Sequence, residues 1–188
     1  MLRSGQWKIA LNGPRAKRRT YLERPSSPLQ DDPQLGTYFN RFNTTQEPFD
    51  DPLVRRALSL AIDRDAIVSK VTRAGQVPAG SFAPPGARGF EPATLVSFEP
   101  EEARRLLAEA GYPRGEGFPA ADLLYNTSES HRTIAEATQQ MWKTELGIEL
   151  NRYNQEWKGY LDARATRDYF VARAGCVEGY DDAKHLRE

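Results

Sequence analysis

The residues best suited to chemistry lie near the end of the chain. Phe170-Val171-Ala172 is a short apolar run of buried-strand type, and it delivers Arg173 at its end. An arginine at the carboxyl end of a strand faces the crevice in which open α/β sheets bind ligands. Its planar, permanently charged fork suits a carboxylate, which it can hold through two parallel hydrogen bonds. A structural ion pair with an acidic neighbour is the plainer use of the same group. Upstream, Asn154-Gln155-Glu156-Trp157-Lys158 closes one strand-like stretch and opens a helix. Trp157 reads first as core or cleft-wall packing and second as a ligand platform. Cys176 is the only cysteine, which excludes an internal disulfide. A thiol–imidazole couple of Cys176 with His131 or His185 has no spacing to support it. No metal-ligand spacing and no phosphate-cradling glycine loop occurs, so neither metal nor cofactor is expected.

The elements that must position these residues follow from periodicity and capping. A strand over 121–126 precedes a helix that starts at Ser128 or Ser130 and runs to Leu146, with Ile134, Ala137, Thr138, Met141 and Trp142 on one stripe. That stripe assigns Trp142 to the core, and Gly147 stops the helix. A strand over 148–153, a helix to about Ala165 and the short run at 170–172 complete a β-α-β-α-β order. Such alternation implies an α/β fold, a sheet with parallel neighbours and helices packed on it. Before it lie a strand over 36–43 and a helix from Pro52 to about Ile62 that Asp51 caps. A helix over 64–72 capped by Asp63 comes next, then a Pro/Gly-rich loop over 75–92, and a helix that Glu99-Pro100 opens and Gly111 ends.

The totals narrow the class. The chain has 188 residues, 28% charged and 39% apolar, with formal charge zero, enough for one ordinary domain and without a bulk reason to bind nucleic acid. Residues 1–34 carry a basic run, Arg15-Ala16-Lys17-Arg18-Arg19, and then proline-rich turns, and read as an irregular, solvated tail. No apolar run approaches the roughly 20 residues of a membrane span. Trp7-Lys8-Ile9-Ala10-Leu11 is too short and too charged for a signal-peptide core, so the chain as written is expected to stay cytoplasmic.

Several separate words, in order, carry a family resemblance. They are Gly36-Thr37-Tyr38 with Arg41-Phe42-Asn43-Thr44-Thr45, Pro48-Phe49-Asp50-Asp51-Pro52-Leu53 with Val54-Arg55-Arg56-Ala57-Leu58, Ala61-Ile62-Asp63-Arg64, and Ala83-Pro84-Pro85-Gly86. Ala103-Arg104-Arg105-Leu106-Leu107 with Ala108-Glu109-Ala110-Gly111-Tyr112, Tyr125-Asn126-Thr127-Ser128, Asn154-Gln155-Glu156-Trp157 and Val171-Ala172-Arg173-Ala174-Gly175 follow. Together they resemble the solute-binding proteins of ABC peptide importers, of the oligopeptide- or dipeptide-binding family 5 type. The resemblance runs from about Leu35 to Gly175 and covers the second lobe of a two-lobed clamp, so residues 35–180 are expected to form that lobe and 181–188 a truncated tail.

It implies a periplasmic or cell-surface protein that holds extended peptides in an interlobe cleft and presents them to permease subunits. Arg173 matches an arginine that pairs with a peptide carboxylate, and Arg164 matches a position near the cleft, although a solvated helix face explains Arg164 as well. His131 resembles a histidine of the same family word and reads as solvated or capping. Two positions depart from the pattern. Cys176 stands where the family has an aromatic, and Gly179, preceded by Glu178, stands where an aspartate holds the peptide's α-amino group. Asp181 or Asp182 would have to replace that aspartate from two or three residues further on. The ligand-contact set is therefore Arg173, Arg164, Trp157 and Cys176, with peptide binding weak or absent for one lobe alone. The alternative is a decayed remnant without transport or peptide binding.

Overall fold

A computed structural model describes residues 20, 21, 23, 35–84 and 93–177. Most of the expected tail over 1–34, the loop tip at 85–92 and everything after Val177 lie outside it, with Glu178, Gly179, Asp181, Asp182 and His185 among the latter.

Four strands form one sheet in the order β1-β4-β2-β3. The strands are β1 (Gly36–Phe42), β2 (Asp122–Asn126), β3 (Asn151–Gln155) and β4 (Val171–Val177). β2 runs parallel to both β3 and β4, as the β-α-β-α-β order predicts, whereas β1 lies antiparallel along the outer side of β4. The helices are α1 (Pro52–Leu60), α2 (an α-helical turn, Arg64–Ala66, running into a π-helical Ile67–Thr72), α3 (Pro100–Glu109), α4 (Glu129–Leu146) and α5 (Trp157–Thr166).

Local chemistry sets most of the ends. The Asp51 side chain accepts from the Leu53 amide at 2.7 Å, and Asp63 from the Ala66 amide at 2.8 Å, so each aspartate satisfies a first-turn donor that the helix itself cannot. Gly147 ends α4 in the left-handed region at φ 72°, and a Cβ there would meet the Arg114 carbonyl oxygen at 2.1 Å. Both the turn and the close approach of the 113–115 segment require glycine at this position.

The crossovers return to opposite sides of β2, which places their helices on opposite faces. On one face Leu123, Tyr125 and Val171 join Ala135, Trp142 and Leu146 of α4, together with the buried sides of α1 and α3, in the main core. Trp142 is fully buried, and its Nε1 donates to the Leu58 carbonyl at 2.8 Å, tying α4 to α1. On the other face α5 alone covers a smaller cluster of Leu124, Tyr160, Ala163 and Ala172.

Two strand boundaries and the type of one helix differ from the sequence reading. β3 begins at Asn151, because Ile148 and Leu150 are spent in the core as the chain rises to the sheet. β4 does not end at Arg173 but continues to Val177, since β1 supplies a partner along its whole length, Gly36 opposite Val177 through Phe42 opposite Val171. The helix expected over 64–72 changes to π-type after one turn and ends at Arg73 in the left-handed region, φ 49°.

Candidate functional site

The carboxyl ends of the parallel strands define a crevice. The chain leaves β2 for α4 on one face of the sheet and leaves its neighbour β3 for α5 on the other, and at such a switch point the loops part and leave room for a ligand. Pairing between β2 and β4 covers Leu123 opposite Val171 and Leu124 opposite Ala172 and then stops. Arg173 is the first residue of β4 beyond that pairing.

Strand alternation sends the Arg173 side chain to the α4 face, where Val171 also points. Its Nη1 donates to Asn126 Oδ1 at 3.1 Å, at the last residue of β2. Its Cζ lies 5.2 Å from the centre of the Tyr38 ring, within cation–π range. Tyr38 faces His131, in the first turn of α4, with ring centroids 5.7 Å apart and planes tilted by 38°. Asn126, Arg173, Tyr38 and His131 thus form one row drawn from β2, β4, β1 and α4. Among the described residues Arg173 has no acidic partner, and its Nε is buried without a hydrogen bond. The cation is therefore held by an amide oxygen and a ring face, both neutral.

Arg164 and Trp157 assemble on the other face, around Tyr160. The Trp157 ring stacks on Tyr160 with centroids 5.6 Å apart and planes 27° from parallel, and the Arg164 Cζ sits 5.4 Å from the same ring's centre. Trp157 is 54% exposed, so it is not core. Arg164 also lacks an acidic partner among the described residues, and its Nε is buried and unbonded. Thr127, which follows β2, ties this rim together: its Oγ1 lies 3.1 Å from Asn154 Oδ1, 3.2 Å from the Gln155 carbonyl and 2.9 Å from Glu156 Oε1. A single hydroxyl proton serves one of those acceptors at a time.

Cys176 does not join the Arg173 row. It is half-buried, sits opposite Thr37 in the β1–β4 register, and alternation turns it to the face away from Arg173. The structure thus brings Arg173 together with Tyr38, Asn126 and His131, and Arg164 together with Trp157, and it turns Cys176 to the face opposite Arg173. His131 does not cap α4; Ser128 occupies the N-cap position. Tyr38, Asn126 and Tyr160 escaped the sequence reading as site residues. Tyr38 and Asn126 belong to the words Gly36-Thr37-Tyr38 and Tyr125-Asn126-Thr127-Ser128, yet only the sheet order places them beside Arg173. Among the described residues no cluster of His, Cys, Asp and Glu could hold a metal ion, and no helix is long and apolar enough to cross a membrane.

Residues 1–187 match the family described as bacterial extracellular solute-binding proteins, family 5 Middle. The chain is 45% identical over 157 residues to the periplasmic oligopeptide-binding protein OppA of Salmonella typhimurium, a match covering 80% of this chain and 29% of that protein. It is 34% identical over 167 residues to the oligopeptide-binding protein OppA of Bacillus subtilis, covering 85% and 31%. Among solved structures, the Escherichia coli murein tripeptide-binding protein MppA superposes with a TM-score of 0.81 at 41% identity, over 90% of this chain and 34% of that one. The chain therefore spans about three tenths of the length of these curated relatives.

Proposed function

Because the chain belongs to the bacterial extracellular solute-binding proteins of family 5, we propose that it forms part of the substrate-binding component of an ABC importer for oligopeptides, acting outside the cytoplasm as one wall of a peptide-binding cleft. The observation that carries this reading is Arg173, a crevice guanidinium whose described partners are the neutral Asn126 amide and the Tyr38 ring. A peptide's terminal or side-chain carboxylate fits it, through a charge-assisted pair that fixes direction as well as adding affinity. Tyr38 and His131 flank that position, while Trp157 and Arg164 line the adjoining rim for side chains of the bound peptide. Cys176 stands off this row, on the opposite face of β4.

A single wall buries much less of a ligand than the 70–90% typical of small-molecule sites, so the chain by itself binds peptide weakly. A second lobe and its closure, and docking to permease subunits, belong to a longer protein of this family.

The test is a titration of the 188-residue chain, followed by NMR, with one short peptide carrying a free carboxylate and the same peptide amidated. The free form should bind more tightly. Arg173→Ala should remove that preference, weakening the free form by about 10- to 100-fold, the worth of one charged hydrogen bond. Equal loss for both peptides would refute the anchoring role. A second reading, a remnant without peptide binding, is favoured by Cys176 standing where the family resemblance expects an aromatic. It would be supported if neither peptide produced saturable shifts.

A further inference from the structure

Beyond the residues that could touch a ligand, one buried side chain joins the two halves of the crevice. Tyr160 is fully buried on α5, on the face opposite the Arg173 side chain. Its hydroxyl donates to the main-chain carbonyl of Arg173. The phenol oxygen in turn lies 3.5 Å from Arg164 Nη1, and the Arg164 guanidinium covers the ring. A directed chain results: Arg164 N–H to the Tyr160 oxygen, Tyr160 O–H to the Arg173 carbonyl. Each bond of such a chain polarises the next, and the low dielectric around a buried phenol strengthens both.

The position of the accepting carbonyl matters. β4 stops pairing with β2 after Ala172, so Arg173 is where the strand would otherwise lose its main-chain restraint on that side. We infer that Tyr160 is the positioning residue of the crevice: through its hydroxyl it fixes the β4 main chain at Arg173, and so the direction in which that guanidinium reaches Asn126 and Tyr38. Arg164 acts on Arg173 through the same phenol from across the sheet. This inference rests on the proposed carboxylate role of Arg173 for its functional consequence, but not for its structural content. Phenylalanine at this position would keep the ring, its stacking on Trp157 and the packing against Leu124 and Ala172, and would lose only the hydroxyl.

The test uses the full chain and Tyr160→Phe. Three NMR signals are read: the Arg173 carbonyl carbon, the Arg173 Nε–H and the Trp142 indole N–H. Removing the donor should move the Arg173 carbonyl carbon upfield and shift or broaden the Arg173 Nε–H. The Trp142 signal, bonded to Leu58 in the main core, should stay in place. An unmoved Arg173 carbonyl overturns the inference. So does a moved carbonyl with an unchanged Arg173 Nε–H, because the hydroxyl is then an ordinary structural bond. If Tyr160→Phe does not fold, Arg164→Gln decides: it leaves the phenol in place and should move the same two Arg173 signals less far, and no movement overturns the inference. In the peptide titration, Tyr160→Phe should reduce the preference for a free carboxylate by roughly three- to tenfold, the range of one neutral hydrogen bond. Should the unaltered chain show no such preference, the carboxylate reading fails, while the NMR signals still decide the role of Tyr160.

Discussion

Asn43→Asp exchanges one atom in a buried bracket and should be among the most damaging single changes in this chain. Asn43 is 4% exposed, directly after β1. Its Nδ2 donates to the carbonyls of Arg167 and Tyr169, each at 3.0 Å. Its Oδ1 accepts from the Thr45 amide at 3.2 Å and the Thr45 hydroxyl at 2.7 Å, and its own amide donates to the Phe170 carbonyl at 2.9 Å. These carbonyls belong to the turn that carries α5 into β4, in which Arg167 adopts the left-handed φ of 61°. Aspartate keeps the shape and the Oδ1 acceptor, but an oxygen now faces two carbonyl oxygens. Two hydrogen bonds are lost, and each carbonyl left without its donor costs about 1–3 kcal/mol, a figure that already includes the lost bond. Partial access of water to the turn trims that sum to about 2–4 kcal/mol at neutral pH.

The penalty should depend on pH, with a definite sign. Burial and the facing carbonyls favour the protonated acid, so the folded-state pKa of an aspartate here is raised above its unfolded value of about 3.9. A raised pKa contributes stability that is fully present below the unfolded value and lost as pH rises through the folded one. The protonated form also regains one donor for one of the two carbonyls. Urea unfolding of the unaltered chain and the variant, compared at pH ~7 and pH ~4, should therefore give a large difference at the higher pH and a smaller one at the lower. A difference below about 1 kcal/mol at neutral pH, less than even the unmade bonds require, would refute the bracket. A difference of equal size at both pH values would refute the electrostatic reasoning.

Two further changes probe the scaffold of the crevice. Trp142→Phe should cost about 2–4 kcal/mol in the same unfolding assay, since it opens space in the main core and strips the Leu58 carbonyl of its donor; a cost under about 1 kcal/mol would mean the core repacks freely. Gly147→Ala should cost well over the roughly 1–2 kcal/mol of left-handed strain, because its Cβ would meet the Arg114 carbonyl at 2.1 Å. Gly111→Ala is its control, at φ 93° with nothing within 4 Å of the added carbon, and should cost the strain alone; equal thermal shifts for the two would contradict the close approach.

Much of this protein is written locally. Asp51, Asp63, Glu99-Pro100 and Gly147 mark helix ends because a cap acts within a few residues of its own position. The alternation of strands and helices after residue 120 gave an α/β sheet with parallel neighbours, and Trp142 was recognisable as core from its place on an apolar stripe. Family membership, too, could be read from ordered words spread between Gly36 and Gly175. The length of β4 was not legible, because a strand extends as far as a partner accompanies it, and its partner β1 lies more than a hundred residues earlier. For the same reason Arg173 is not a strand end but the point at which β4 parts from β2. The row of Asn126, Arg173, Tyr38 and His131, and the link from Arg164 through Tyr160, exist only once the crossovers fold back on opposite faces. Periodicity states which face a residue takes on its own element; which residues from other elements share that face is decided by the packing of the sheet.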